Sequence, residues 1–380
     1  MRLAALLMIA LVAAAAEPVD PAAEVARRLE TTFDRLLADP EAYQATVLQK
    51  CRGFPEGGLF PFTFPAIAYA VLAQGDRQRA PQRLASAALC LDRAMGVVAR
   101  KVEAPGGDLA RLADYRQHAT YIGQLALALG VWRLAGGDDR YEAVHARLHS
   151  VLLDALVAAR GDQLRSFPTY AWTFDTIPCL AALRLRDRVR GESTADAAIR
   201  EHLAWVASEG VDAATELPAS IVEPGKRAPP RGCDLSLRVA MLAQVDHGAA
   251  RALWQRYVVV HWCERATMAG FREYPPGVNR PGDPDSGPIL QGIGMSATGL
   301  GIAAARAIED RAIATRLTGQ LPAIATLHKL LVAADPGAAR RTLGGAGNDP
   351  DYVTGFLFGD ACMFFCVTWR DLGTALDASE

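Results

Sequence analysis

The sequence predicts an all-α fold, specifically an (α/α)6 toroid of six helical hairpins with an N-terminal helix closing the ring. Three observations carry this. Apolar segments have helical length and period, with no convincing run of strand alternation. They come in pairs: a helix rich in Ala, Leu and Gly, a short polar turn, then a more charged amphipathic helix. The starts of the pairs recur along the whole chain, near Phe62, Thr120, Thr173, Cys233, Ile289 and Gly355. Their separations of roughly 53 to 66 residues are the mark of a structural repeat.

Each pair reads the same way. "TYIGQLALALGVWRLA" turns at "GGDD" into "RYEAVHARLHSVLLDALVAA", and "DLSLRVAMLAQV" turns at "DHG" into "AARALWQRYVVVHWCERATMA". "ILQGIGMSATGLGIAAARAI" turns at "ED" into "RAIATRLTGQLPAIATLHKLL". Short connections make antiparallel neighbours. The less charged first helix is expected to be buried, and the second to face solvent. The sixth apolar helix, "GFLFGDACMFFCVTW", has too little chain after it for a partner. The spare amphipathic segment "AAEVARRLETTFDRLL" supplies one, as a ring requires and an open solenoid does not.

The first residues, "MRLAALLMIALVAAAAEPVD", read as a secretory signal: Arg2 as the positive end, Leu3 to Val12 as the apolar run, and Ala14 to Ala16 as the cleavage site. The run stops short of the about 20 apolar residues of a membrane span. Residues 1–16 are therefore expected to be a signal peptide and residues 17–380 a single toroid domain, periplasmic or secreted, without a stable membrane anchor. The bulk composition fits: 380 residues, 51% hydrophobic, 22% charged, formal net charge −2. Near-neutral charge gives no support for a nucleic-acid partner. The seven cysteines, Cys51, Cys90, Cys179, Cys233, Cys263, Cys362 and Cys366, are odd in number and scattered, which is no disulfide framework.

Loop lengths are asymmetric. Connections from a second helix to the next first helix are long and rich in Pro, Gly, aromatics and charge: "CRGFPEGGLFP", "RLADYRQHATY", "LRSFPTYAWTFD", "EPGKRAPPRGCD", "FREYPPGVNRPGDPDSGP" and "GGAGNDPDYVTG". In a ring of hairpins all six emerge on one face, where function usually sits.

These connections carry the candidate chemistry. Glycoside hydrolysis needs two carboxyls across one bond, one protonated and one ionised. Asp175 and Asp285 are the candidate pair, with Asp283, Glu273 and His118 in support. Tyr170, Trp172 and Phe174 crowd Asp175, and a desolvated carboxyl has the raised pKa of a general acid. The alternative for each acid is helix capping, which "DSGPI" fits well through Asp285 or Ser286. Tyr170, Trp172, Tyr274, Tyr121 and Tyr352 are candidates to bind sugar rings, and Arg52, Arg165, Lys226, Arg231, Arg272 and Arg280, with converging helix N-termini, to favour an anionic group such as a uronate. His145 and His149 share one helix face but have no third ligand, so surface histidines are expected and no metal or cofactor. "GIGMSA" matches a dinucleotide fingerprint by pattern but follows no strand, so close helix packing explains it better.

The hairpin pattern, the export signal and the loop carboxylates together resemble the six-hairpin glycosidase-like superfamily, which holds glycoside hydrolases, polysaccharide lyases and epimerases. A narrower resemblance is to the linalool dehydratase/isomerase family. "HATYIGQLALALGVWRLAGGDDRY" is similar to its second hairpin, which implies a catalytic role for His118. "PTYAWTFDTIPCLAAL" is similar to its next inner helix, which carries two catalytic cysteines. Cys179 matches one, and Tyr170 stands about where the other would be. Three functions follow as expectations: an exported glycoside hydrolase acting on an oligo- or polysaccharide through paired carboxylates; a lyase, dehydratase or isomerase using His118 and Cys179 on another small molecule; or a non-catalytic glycan-binding scaffold.

Overall fold

The computed structural model describes residues 20–51, 55–265, 268–321 and 353–373. The signal segment 1–16, Arg52 and Tyr352 lie outside the described residues. The protein is mostly helical. Among the described residues the helices are α1 (Pro21–Leu37), α2 (Pro40–Lys50), α3 (Phe60–Gly75), α4 (Ala80–Lys101), α5 (Ala119–Leu134), α6 (Glu142–Ala159) and α7 (Thr176–Arg190). They continue with α8 (Asp196–Ser208), α9 (Gly232–Leu242), α10 (His247–His261), α11 (Met295–Ala307), α12 (Arg311–Gly319) and α13 (Leu357–Thr368).

Two kinds of helix alternate, as the apolar patterning dictates. Every residue of α9 is buried, and so is every residue of α5 from Ala119 to Trp132. A helix apolar all round has no solvent face to offer and must be enclosed by others. α1 is the opposite case, burying Val25, Leu29, Phe33 and Leu37 along one stripe. The enclosed helices touch in sequence order: α3 packs on α5, α5 on α7, α7 on α9, α9 on α11, α11 on α13, and α13 again on α3. Outside them α4 packs on α3, α6 on α5, α10 on α9 and α12 on α11. α1 packs on α13, where Phe33 stacks on Phe364 at 5.5 Å. The partner of α7 is displaced: α8 packs on α6 and is tied to α7 by the Arg184–Asp196 ion pair.

Small residues set the closest approaches. A Cβ on Gly123 of α5 would stand 2.5 Å from Cys179 Sγ of α7, so that seam closes only around glycine.

The connections divide as expected. Those from an enclosed helix outward are short (76–79, 135–141, 191–195, 243–246, 308–310), and those leading inward are long (102–118, 160–175, 209–231, 262–294). The long ones hold strands that the sequence pattern does not announce. Among the described residues three antiparallel ribbons form: β1 (Ile221–Glu223) with β2 (Lys226–Ala228), β3 (Trp262–Glu264) with β4 (Ala269–Phe271), and β5 (Ile289–Leu290) with β6 (Ile293–Gly294). Runs this short carry too few alternations to register as strands.

The last ribbon corrects two expectations. Helix α11 begins at Met295, not near Ile289, because Gln291 and Gly292 turn with φ of 54° and 85° and fold 289–294 into a hairpin. No side chain of "DSGP" caps a helix: Ser286 bonds with Asp283 in a local turn, and only the Ser286 and Pro288 carbonyls reach α11, accepting from the N–H groups of Ser296 and Met295. "GIGMSA" does contain a short strand, β6, but in an antiparallel ribbon and not in the strand–turn–helix unit of a dinucleotide site. His145 is likewise no surface histidine. It is buried against Arg186, and burial holds its pKa down at about 3.

Candidate active site

The first turns of all the enclosed helices, with the residues just before them, meet around one cavity of about 80 Å3. α3 contributes Phe60 and Phe64, α5 Thr120, and α9 Cys233, Asp234 and Leu237. α11 contributes Ser296 and Leu300, and α13 Phe358 and Cys362. The long connections add Glu56, Trp172, Phe174, Asp175, Arg231, Pro284 and Asp285. The space suffices for a few waters or one small ligand group. A larger cavity of about 370 Å3 lies against Asp20, Arg306, Arg311 and Arg370. It adjoins the far end of α11, about three turns from Ser296, and has no part in this constellation.

Asp175 is the centre of the site. It stands at the N-cap position of α7 yet makes no side-chain capping bond. Its carboxylate instead accepts from Thr120 Oγ1 of α5 at 2.8 Å. The side chain is 2% exposed. Burial pushes its pKa up to about 7, opposed by the Ser166 and Thr120 hydroxyls and reinforced by the charges of Asp285 and Asp234. A carboxyl with that pKa carries a proton for part of the time at neutral pH, as a general acid must.

Two further carboxyls face it. Asp285 is half-exposed at the rim; its removal from water on the cavity side and the like charge of Asp283 raise its pKa. Glu56 sits in a single 3-10 turn, Pro55–Gly58, and burial pushes its pKa up to about 7, with Asp175 and Asp285 adding to the rise and Lys101 opposing it. That turn is fixed by backbone crowding, since a Cβ on Gly57 would overlap Cys51 O. Glu56 was not among the expected site residues. Its "FPEGG" context reads as an ordinary turn, and only the fold turns it toward Asp175.

Arg231, expected among the connection cations that would favour an anionic group, is the organising cation. Its Nε donates to Glu273 Oε1 at 2.8 Å and its Nη2 to Asp283 Oδ1 at 2.7 Å, while Nη1 lies 4.0 Å from Asp285 Oδ2. The guanidinium lies 5.5 Å from the ring centroid of Trp172 and 5.9 Å from that of Tyr274. Glu273 is fully buried behind it, also accepting from the Cys233 backbone and thiol. Glu273 thus holds Arg231 from behind and lines no part of the cavity. Partial burial works to raise the Asp283 pKa, but the bonds from Arg231 and Ser286 prevail and hold it below the usual range. Asp234 forms a separate buried pair with Arg238 at 3.2 Å and accepts from Ser220 at 2.8 Å.

The remaining expected residues fall in four places. Trp172 lines the cavity, and Tyr170 packs edge-on against it at 6.1 Å. Tyr121 and His118 form an adjoining aromatic cluster with Phe167, the two rings 5.9 Å apart. Burial, and next the charge of Lys101, lower the His118 pKa, and its Nδ1 has no hydrogen-bond partner. Arg272 is half-buried on the β4 side and does not reach the cavity lining. Cys179 is sealed between α5 and α7, with its thiol against the carbonyls of Ala119 at 3.5 Å and Asp175 at 3.3 Å. Burial pushes that thiol up, far from a reactive thiolate. Cys362 does reach the cavity, with Sγ 3.9 Å from Cys366 Sγ in a thiol–thiol hydrogen bond and no disulfide between them. Among the described residues no three His, Cys, Asp or Glu side chains are grouped as a metal site needs.

No protein-family model matches the chain, and no curated protein matches it. Among the described residues no helix is long and apolar enough to cross a membrane.

Proposed function

We propose that this protein is an (α/α)6 toroid and an exported glycoside hydrolase, with Asp175 as the general acid and Asp285 as its ionised partner. The toroid reading is supported by the circuit of helix contacts that returns from α13 to α3, and by α1 packing outside α13. Export is read from the leader at residues 1–16. The observation that carries the catalytic reading is the meeting of Asp175 and Asp285 at one aromatic-walled cavity, with the Asp175 carboxyl pushed up to about 7. Paired carboxyls held in different protonation states are what glycosidic cleavage demands. Trp172, Phe60 and Phe358 offer faces for a sugar ring.

The sealed Cys179 gives no support to thiol chemistry, so the dehydratase-type reading is the weaker one. Product analysis after incubating the mature protein with bacterial and plant polysaccharides tests the hydrolase reading. Asp175→Asn and Asp285→Asn should each lower turnover by roughly 10²–10⁴-fold. Wild-type turnover in both variants would remove the assignment. Binding without turnover across the whole panel would favour a glycan-binding scaffold.

A further inference from the structure

The charge arithmetic of the cavity does not suit the anionic ligand that the loop arginines suggest. Among the described residues Arg231 is the only cation lining it, and Glu273 and Asp283 already engage its guanidinium. Asp234 has its own partner in Arg238. Glu56 and Asp175 remain with no cation within ion-pair distance among the described residues, and Asp285 has only the 4.0 Å approach of Arg231. The cavity is also more than an acidic cluster. Asp175, 2% exposed, is a buried carboxyl lining the cavity, with hydroxyl partners but, among the described residues, no counter-charge. Burying a charge without a compensating one is costly, and an incoming cation relieves that cost. The walls are aromatic: Phe60, Phe64, Trp172, Phe174 and Phe358. Faces of this kind attract cations, and Trp172 already carries the Arg231 guanidinium on the neighbouring side. The N-termini of the enclosed helices favour anions, and the carboxyls present already fill that role.

Resting on the hydrolase reading, we propose that the cavity takes an organic ammonium group, so that the substrate is an amino-bearing glycan and not a uronate. The groups facing Glu56 and Asp175 are Asp285, Asp234, Arg231, Tyr170, Tyr121 and Lys101. Lys101, over the Tyr121 ring at 5.4 Å, also acts on Glu56 but sits outside the cavity lining. With Glu56 pushed up by burial, binding an ammonium beside it releases protons and affinity falls as the pH drops, while Asp175 keeps the proton that its acid role requires.

Calorimetric titration of the mature protein with glucosamine trimer, N-acetylglucosamine trimer and galacturonate trimer at pH 6.5 and pH 5 tests this. The amino trimer should bind at least about tenfold tighter than its acetylated counterpart at pH 6.5, about 1.4 kcal/mol. That preference should shrink in Glu56→Gln and in Asp285→Asn, and the affinity should fall several-fold at pH 5. Thermal melts check that each variant folds, and the half-exposed Asp285 leaves a readable variant if Glu56→Gln does not. Equal or tighter binding of the acetylated or uronate trimer, a preference untouched by either variant, or no binding of any trimer would overturn the proposal. Amino preference without bond cleavage would keep the ammonium site and remove the hydrolase reading. Cleavage of neutral or acidic glycans without amino preference would do the reverse.

Discussion

Thr120 Oγ1 donates to Asp175 Oδ2 at 2.8 Å, joining the start of α5 to the residue that opens α7. The bond favours the ionised carboxylate and therefore opposes the rise in pKa that burial causes. Thr120→Val removes the donor while keeping a branched side chain. The Asp175 pKa should then move further above about 7, and the alkaline limb of the pH–rate profile should shift to higher pH. A limb that stays in place would mean that another group sets it.

Asp175 also makes stability depend on pH, with a definite sign. Its folded pKa is raised from 3.8 to about 7, so between those values the folded state binds more protons than the unfolded state. Its contribution is intact below the unfolded pKa and is lost as pH rises through about 7. Asp175→Asn abolishes this loss and should raise Tm relative to wild type more at pH 8 than at pH 5. Between pH 5 and pH 8 the difference has an upper limit of roughly 3 kcal/mol, since about two units of the raised pKa lie above pH 5 and each is worth about 1.4 kcal/mol. Thermal melts at the two pH values read it directly.

The Arg231–Glu273 pair is buried on both sides, with side chains 6% and 0% exposed. Removing one partner strands the other. Arg231→Ala should destabilise the protein by about 3–5 kcal/mol in urea denaturation. It should also release Asp283 and Asp285 from their shared cation, so that the placement of Asp285 at the rim is lost with stability. Arg231→Lys should recover only part of either loss, because an ammonium cannot reproduce the two-pronged contact.

Gly123 and Cys179 occupy one seam. Gly123→Ala places a methyl group 2.5 Å from Cys179 Sγ and should cost about 1–3 kcal/mol. Cys179→Ala in the same chain makes room, so the double variant should be more stable than the sum of the single changes predicts. The Cys179 thiol should resist alkylation until the protein unfolds, which a timed reaction with iodoacetamide in increasing urea measures.

The N-terminal helix carries its own test. Phe33 is fully buried and stacked on Phe364, so Phe33→Ala should cost about 3–5 kcal/mol. Leu48, at 52% exposure, serves as the control, and Leu48→Ala should change stability by no more than about 0.5 kcal/mol. Equal effects would mean that α1 adds little to the packing around α13.

How legible the molecule is in its sequence depends on the range of the interaction concerned. The alternation of apolar and amphipathic segments was readable because helical period is local, repeating every 3.6 residues. So were the long inward connections, and the crowding of Asp175 by "YAWTF". The boundaries were not, because the hairpin at 289–294 is decided by two left-handed residues and by pairing that local pattern does not record. Residue function depended most on distance in space. Glu56, Asp175 and Asp285 are widely separated in the chain and meet only because successive helix starts converge. The same convergence occupies Arg231 with Glu273 and Asp283, and closes α5 over Cys179. Short-range periodicity thus determined what kind of helices this chain forms, whereas the long-range Coulomb and packing contacts that tune each side chain exist only once those helices are assembled.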